Sequence, residues 1–394
     1  GQFAYIVANK WMRANYGKPL RQWLKEKRIE EIVDFGDLPV FERATTYPCI
    51  LRVSTGEPDD VFSVTHVDSL DFSNLQQYVT DNQFSVLQSE LSEDGWALID
   101  EQSQLLMRKI REVETTLGEY VENKIFFGIK TGLNKAFVID VETRDSLVAD
   151  DPKSAERIHP VLTGKEIKRY SPLNNKQYLI LFEKGWTDAT SANARNKWNW
   201  LSEEYPAISR HLEQFVTEAE KRSDQGNYWW ELRTCDYYDA FRQFKIIFPD
   251  IAITGAFTID KQGEYYCLNS GYIIPIADKY LLGILNSKLF SFYYINISSS
   301  FKGGYLRFFT QYLEKLPIRT IDFSDPADVA RHDRMVTLVE QMLDLNRRLA
   351  AAKVSHEKEV LAGMIGTTDR QIDRLVYELY GLTEEEIAVV EGVE

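Results

Sequence analysis

The stretch Glu31-Ile32-Val33-Asp34-Phe35-Gly36-Asp37-Leu38-Pro39 decides the interpretation of the first fold unit, because a short apolar strand ends at a glycine and proline turn. An apolar run at residues 3–8 and a helical spacing of apolar residues at 16–28 precede it. A second extended run follows at 49–53. Strand, helix, strand, turn and strand predict the closing part of a parallel α/β sheet, ended by an antiparallel hairpin, over residues 1–55.

Three further segments follow this unit. Residues 56–123 are predicted as an acidic connector with some packed strands, leading into a helix that begins near Leu105. Residues 124–320 mix short strands and helices and are rich in aromatic residues, which predicts an α+β domain. Residues 321–394 are predicted to be helical, with a seam from Met335 to Leu349 and a capping box that begins at Thr383. Such helices brace a neighbouring domain or, alternatively, dock a partner subunit.

Net charge argues against a nucleic-acid partner only at first sight. The chain has 394 residues, with 46 basic and 60 acidic side chains, and a formal net charge of −14. Residues 51–100 carry ten acidic side chains and one basic, and residues 381–394 carry five and none, so these two segments hold the whole excess. The remainder is neutral, and residues 287–320 have a local surplus of base. A polyanion partner is therefore compatible with the sequence, because the local field of one face decides such binding.

Other classes of function have little support in the sequence. No apolar run approaches the roughly 18 residues of a membrane helix, and no basic leader precedes an apolar core, which predicts a cytoplasmic protein without membrane contact. The three cysteines are far apart and the five histidines have no metal-binding spacing, so we expect no metal site. No nucleophile is paired with a base, and we expect no catalytic residue in this chain.

Three clusters combine donors, glycines and aromatic residues. The first, Gly128–Phe137, is a loop whose backbone N–H groups could approach phosphate, or else an ordinary glycine turn. The second, Asn227–Arg233, holds two adjacent tryptophans, of which Trp230 is predicted to be the exposed one. The third, Ser298–Phe309, suits nucleic-acid contact, or is a solvated loop over an aromatic core. The candidate DNA-binding residues are Lys130, Thr131, Gly132, Asn134, Lys135, Trp230, Arg233, Lys302, Gly303 and Arg307.

The order of several segments resembles a known family. Residues 3–10, 32–36 and 45–50 are similar to the closing third of an adenine-N6 DNA methyltransferase domain, a Rossmann-like fold. The later segments resemble the target-recognition and C-terminal region of type IIG restriction-modification enzymes and of related phage-defence methyltransferases. These landmarks are Gly128–Phe137, His159–Ile167, Trp229–Arg233, Leu281–Ser287, Gly303–Phe308, Leu313–Ile318 and Ile372–Leu382.

The resemblance implies a role for Phe41 and for a cofactor outside this chain. In the family, an aromatic residue at the position of Phe41 stacks on the flipped target adenine; the alternative is a core phenylalanine of the hairpin. The family's cofactor loop and its catalytic Asn-Pro-Pro-Tyr are absent, and no Pro-Pro pair occurs in the chain. S-Adenosylmethionine is therefore expected for the parent enzyme and not for this fragment.

Together these features predict the DNA-reading end of a bacterial adenine-N6 methyltransferase that binds double-stranded DNA. The parent would be an enzyme of a restriction-modification or phage-defence system, with or without endonuclease activity. The alternative from another class is a non-enzymatic scaffold or partner-binding module that needs no duplex. DNA affinity at low salt discriminates the two, because phosphate contacts are strongly dependent on salt.

Overall fold

The computed structural model describes residues 1–41, 46–93, 95–191, 193–298, 300–301 and 305–392. Its strands are β1 (Gln2–Ala8), β2 (Arg28–Asp34), β3 (Pro48–Ser54), β4 (Val61–His66), β5 (Phe84–Leu87), β6 (Phe126–Phe127), β7 (Val138–Asp140), β8 (Ile158–Leu162), β9 (Gln177–Ile180), β10 (Lys245–Pro249), β11 (Ile251–Ala252), β12 (Thr258–Asp260), β13 (Tyr266–Cys267), β14 (Gly271–Ile274), β15 (Ser300–Phe301) and β16 (Tyr305–Arg307). Its α-helices are α1 (Lys18–Lys25), α2 (Leu75–Asn82), α3 (Glu101–Arg111), α4 (Leu117–Tyr120), α5 (Asn134–Phe137), α6 (Val141–Asp150), α7 (Trp186–Thr190), α8 (Lys197–Glu204), α9 (Pro206–Glu213), α10 (Val216–Ala219), α11 (Lys279–Leu285), α12 (Lys288–Ile297), α13 (Thr310–Leu313), α14 (Pro326–Ala351), α15 (Ser355–Leu379) and α16 (Glu384–Glu391).

The first sheet has the strand order β1-β3-β2-β4-β5. Its elements agree with the predicted strands and helix, but its pairing is mixed. Strands β2 and β4 are parallel, whereas β1–β3, β2–β3 and β4–β5 are antiparallel. The expected parallel sheet is therefore corrected to a mixed one, because β3 lies between β1 and β2 and runs opposite to both. Trp11 and Trp96 meet edge-to-face beneath this sheet, with ring centroids 5.1 Å apart.

The acidic segment contributes to this same sheet. β4 and β5 lie within it, and their apolar residues Phe62, Val64 and Val86 are buried in the core of the first unit. The first unit thus continues well beyond residue 55, and the acidic side chains lie largely around its solvent side. The helix expected over 105–123 is divided: α3 ends at Arg111, and a capping box at Thr116 starts the short α4.

A second sheet, with the order β12-β10-β14-β6, lies between two hydrophobic cores. All five residues of β10 are buried. Ile246 and Phe248 belong to the core shared with the C-terminal helices, whereas Ile247 belongs to the core on the other side. In β14, Ile274 and Ile273 are divided in the same way. The period of two along a strand therefore explains why these segments are apolar without interruption: both faces are covered.

The remaining elements complete these two cores. On one side lies a third sheet, of order β13-β8-β9-β7, which packs with α8 and α9. On the other side, α14 and α15 pack against each other, and α14 packs against α11. The predicted C-terminal helices are confirmed, including the capping box in which Thr383 and Glu386 bond reciprocally. A small three-stranded sheet of order β11-β16-β15 contributes the buried Leu306 to the core shared with the C-terminal helices.

Polar contacts also fix the C-terminal helices to the rest. The Arg169 guanidinium binds both carboxylate oxygens of Asp369, at 2.7 and 2.5 Å, and donates to the backbone carbonyl of Asn286. The Lys109 ammonium donates to the Gly381 carbonyl and to Glu386. These contacts favour the bracing role of the helices over docking. In the described part of the chain, no helix is both long and apolar enough to cross a membrane.

Gly283 provides a test of this packing, because α11 approaches α14 at that glycine. A Cβ at Gly283 would collide with the Met335 sulfur and come within 3.1 Å of Val339. We expect Gly283→Val to reduce the free energy of unfolding by about 1–3 kcal/mol through overpacking. The matched control is Gly363→Ala on α15, where nothing lies within 4 Å of the added Cβ and a gain of up to about 1 kcal/mol is expected. Urea unfolding measures both, and an equally stable Gly283→Val protein would contradict the close approach.

Candidate nucleic-acid interface

The loop Gly128–Phe137 leaves the second sheet as a fixed segment. The Gly128 N–H donates to Gly271, and the Ile129 N–H donates to Cys267, both at 2.8 Å. No Cβ fits at Gly128, because the backbone of Leu268 occupies that space. Gly132 has φ +69°, a conformation that favours glycine. The loop is thus held by the neighbouring strands, which is compatible with a phosphate-approaching loop and with an ordinary glycine turn.

Thr131 does not expose its hydroxyl as the prediction required. It is buried, and its Oγ1 donates to the Asn134 side chain at 2.6 Å and accepts from the Leu133 N–H. This hydroxyl shapes the loop and is not open to a ligand, which corrects its assignment as a direct DNA contact. Lys130, Gly132, Asn134 and Lys135 are exposed, so their predicted contacts with DNA stay possible.

The prediction that Trp230 is the exposed tryptophan is wrong. Trp230 is 3% exposed, and its indole N–H donates to the Thr187 hydroxyl at 3.0 Å. It stacks on Tyr228 and meets the half-buried Trp229 edge-to-face. Residues 227–231 form a turn and not a strand, so the expected alternation of faces does not apply. Trp230 is a core residue of this segment, and Trp229 is the more accessible of the two.

Glu231 is a buried carboxylate that organises the turn. It accepts hydrogen bonds from the backbone N–H groups of Gly185, Thr187 and Asn227, at 3.0, 2.9 and 2.8 Å. Three donors balance the cost of removing this charge from water. The sequence analysis did not select Glu231. A charged residue between Trp230 and Leu232 was the available signal, because an acid inside an apolar run is expected to have buried partners.

Arg222 joins the glycine loop to the tryptophan turn. Its guanidinium donates to the Thr131 carbonyl from one side and to the Trp229 and Glu231 carbonyls from the other. It lies over the Phe137 ring, 4.3 Å from the centroid. Burial lowers the pKa of Arg222 to about 10, so the group remains a cation at neutral pH. The role of Arg222 is not predictable from the sequence, since backbone carbonyls distant in sequence leave no side-chain pattern.

The joined segments place two predicted cations at one pocket. Lys130, from the glycine loop, and Arg233, from the end of the tryptophan turn, both line it. The rest of the wall comes from the backbone and side chains of Phe127, Gly128, Ile129, Thr234, Cys235, Asp236, Tyr237 and Tyr238. Thus two clusters that are about one hundred residues apart in the chain form one surface. We call the exposed residues Lys130, Asn134, Lys135 and Arg233 the loop surface.

Two of the cations of the loop surface have acidic neighbours. Lys135 lies 2.6 Å from Glu218, with both side chains 55% exposed. Arg233 lies 3.3 Å from Asp224. Ion pairs this exposed contribute only about 0–1 kcal/mol, so an incoming phosphate can replace the carboxylate at small cost. Lys130 makes no ion pair among the described residues.

Arg307, from the third predicted cluster, lies on the small three-stranded sheet. Arg307, on β16, binds Asp250 at 2.5 Å and stacks over Phe309. Because Asp250 is buried, breaking this ion pair costs more than breaking the pair of Lys135 and Glu218. The prediction that Arg307 is free to contact DNA is therefore corrected: its guanidinium is bound to Asp250, directly before β11, which pairs with β16. Lys302 and Gly303, the other candidates of this cluster, lie outside the described residues.

Phe41 stands on the first unit, apart from the loop surface. Its side chain is 45% exposed, which excludes the alternative of a core phenylalanine, while its neighbour Val40 packs on the core. Exposure is compatible with stacking on a base, although residues 42–45 beside it are outside the described part. In the described ranges, no group of three or more His, Cys, Asp and Glu residues could hold a metal ion.

Comparisons with known proteins agree with the sequence-based resemblance. Residues 159–318 match the model of the TaqI-like C-terminal specificity domain, and residues 1–41 match that of the Eco57I restriction-modification methylase. The type II methyltransferase M.PaeR7I of Pseudomonas aeruginosa is 24% identical over 100% of this chain and 63% of its own length. The type II restriction enzyme and methyltransferase RM.Eco57I of Escherichia coli is 23% identical over 100% and 42%. The chain thus spans less than two thirds of either relative.

A solved structure shares the fold. The type IIL restriction-modification enzyme MmeI, solved in complex with DNA, superposes with a TM-score of 0.60 at 12% identity, over 100% of this chain and 49% of that one. The chain therefore shares its mixed α/β architecture with C-terminal helices with that structure. The resemblance to the C-terminal part of such methyltransferases is confirmed, with a specificity domain at its centre.

Replacing Arg222 tests whether it joins the two segments. Arg222→Met retains length and apolar contact with Phe137 but leaves the carbonyls of Thr131, Trp229 and Glu231 without this donor. We expect a loss of about 3 kcal/mol in the free energy of unfolding, because buried unpaired polar groups cost about 1–3 kcal/mol each. The control Arg210→Met removes an exposed arginine and should change stability by less than about 0.5 kcal/mol. Equal effects in chemical denaturation would contradict the assigned role.

Proposed function

We propose that this chain recognises double-stranded DNA for an adenine-N6 DNA methyltransferase of a restriction-modification or phage-defence system. The loop surface carries the proposal: Lys130 and Arg233, from two clusters distant in sequence, line one pocket, and Arg233 lies within the segment that matches a specificity domain. Bacterial cytoplasm is the compartment in which such a protein would meet its substrate.

The loop surface suits both kinds of DNA contact. Lys130 and Lys135 are long, exposed cations that can set the register of the protein on phosphates. Asn134 can accept and donate hydrogen bonds at base edges in the major groove. Because Arg222 and Glu231 fix the backbone beneath them, these side chains need little reordering before binding, and this lowers the entropic cost of recognition.

The methyl-transfer chemistry is assigned to another part of the parent enzyme. Methyltransferase relatives use S-adenosylmethionine as the methyl donor, and we propose that it binds outside this chain, because the family's cofactor loop and its catalytic Asn-Pro-Pro-Tyr are absent from this sequence. We propose that Phe41 stacks on the adenine once the duplex has presented it to the catalytic half.

The surface of β1 supports packing of that catalytic half against the first sheet. β1 is an edge strand, exposed along its whole length, and Tyr5 and Ile6 are 63% and 48% exposed. Phe3 and the exposed Trp23 of α1 stack beside it. A long, apolar, unpaired edge is a site for pairing with a further strand. The closing strands of a Rossmann-like methyltransferase sheet would present such an edge.

Salt titration tests the DNA-binding proposal. We expect the chain to bind duplex DNA at low salt, with affinity falling linearly in log–log form as salt rises. The double variant Lys130→Ala/Lys135→Ala should reduce the slope by about 2, since each phosphate contact contributes about 0.9. Lys353→Ala/Lys358→Ala has the same change of charge, in the α14–α15 connection and on α15, and should leave the slope unchanged. No binding at low salt would refute the proposal and favour the scaffold alternative.

Cofactor binding tests whether the parent enzyme binds S-adenosylmethionine in a part other than this chain. By calorimetry, the chain alone should show no binding of S-adenosylmethionine, and fusion of the parent's catalytic half before β1 should create it. Tyr5→Lys/Ile6→Lys should abolish that gain because two charges enter the apolar edge, whereas Val360→Lys, at an exposed site on α15, should retain it. Binding of the cofactor by the chain alone would contradict this division.

A further inference from the structure

Arg233 stands on a backbone that is bonded on both sides. The Leu232 N–H donates to the Phe182 carbonyl at 2.8 Å, and the Arg233 carbonyl accepts from the Tyr238 hydroxyl at 3.1 Å. Two residues before Arg233, Glu231 accepts hydrogen bonds from three backbone N–H groups with its carboxylate and from Arg222 with its carbonyl. The Cα position of Arg233 is therefore fixed more firmly than that of an ordinary surface arginine.

The guanidinium of Arg233 is oriented by Asp224. Its Nη1 lies 3.3 Å from the Asp224 carboxylate, while the side chain remains 48% exposed. Asp224 lies beside the glycine loop, because a Cβ added at Gly132 would come within 3.0 Å of the Asp224 Cβ. One nitrogen of the guanidinium thus contacts a carboxylate, and Arg233 also lines the pocket shared with Lys130. The backbone bonds fix where this arginine stands, and the exposed contact with Asp224 favours one orientation of its guanidinium.

The balance of charges around the pocket favours hydrogen bonds to a base edge over electrostatic attraction of a phosphate. Lys130 and Arg233 contribute two positive charges, and Asp224 and Asp236 contribute two negative ones. A phosphate contact depends chiefly on positive charge, and at Arg233 that charge is offset by Asp224. A base edge is neutral, and it is read by the geometry of donors and acceptors.

We propose that Arg233, oriented by Asp224, reads a guanine in the major groove and so sets one position of the recognised sequence. The planar guanidinium matches the O6 and N7 acceptors of guanine with two parallel hydrogen bonds, an arrangement that no other base edge accepts equally well. This proposal rests on the proposed function, because it requires duplex DNA at the loop surface. Asp224 acts as a positioning residue and does not touch the base.

Selection from a randomised duplex library tests the assignment, with the full chain as bait. The wild-type protein should enrich a motif that contains a guanine at one position. Arg233→Ala should lose the preference at that position alone, by roughly 10- to 100-fold, and retain the preferences at the others. Asp224→Asn should weaken the same preference in part. Arg195→Ala removes an exposed arginine elsewhere on the domain and should leave the motif unchanged.

Chemical modification of the DNA gives an independent measurement. Replacing the selected guanine by 7-deazaguanine removes the N7 acceptor, so it should weaken binding of the wild-type protein but not of Arg233→Ala. Arg233→Lys controls for charge and folding, since it keeps the cation but lacks the fork.

Three results are decisive. A uniform loss of affinity in Arg233→Ala with an unchanged motif would overturn the proposal and make Arg233 a phosphate contact. Equal sensitivity of both proteins to 7-deazaguanine would overturn it as well. Failure of the wild-type protein to bind any duplex at low salt would instead defeat the proposed function itself, and this outcome is recognised without any variant.

Discussion

A sheet without a solvent-exposed face is the constraint on which the rest of the structure depends. In β10 and β14, neighbouring residues point into different cores, so Ile246 and Ile247 each lose contact with water on opposite sides. A slip of one residue would exchange the two faces, and the register is therefore strongly specified. β6 pairs with β14 at the edge of this sheet, and the glycine loop leaves directly from β6. The position of the glycine loop is therefore fixed by the buried sheet that contains β10 and β14.

Buried polar groups then fix the backbone of the surface loops relative to this sheet. Arg222 and Glu231 are charged groups in a dry environment, and both bond mainly to the backbone. Such groups contribute little net stability compared with apolar side chains, but losing one partner is costly, so they specify a conformation. Here they hold the glycine loop against the tryptophan turn. The cations therefore belong to two groups. Lys130, Lys135 and Arg233 are exposed and available for a ligand, whereas the guanidinium groups of Arg222 and Arg307 are bound within the protein.

The sequence predicted what local patterns determine and failed where distant contacts decide. The C-terminal helices and the Thr383 capping box were correctly predicted, because their spacing and end signals lie within a few residues. The exposure of Trp230 was predicted wrongly, because the argument assumed a strand where the Glu231 carboxylate enforces a turn. Arg222 was not predicted, since one of its partners is a carbonyl 91 residues earlier in the chain. The mixed pairing of the first sheet likewise arises because β3 lies between β1 and β2, and no local sequence pattern predicts that position.

Hydrogen–deuterium exchange with and without duplex DNA at low salt tests the central claim most directly. The claim is that DNA meets the chain at the surface built by the glycine loop and the tryptophan turn. DNA should slow exchange in residues 128–137 and 233–238 and leave the solvent side of α14 unchanged. Protection confined to other segments, with these two unaffected under conditions in which DNA is bound, would contradict the account.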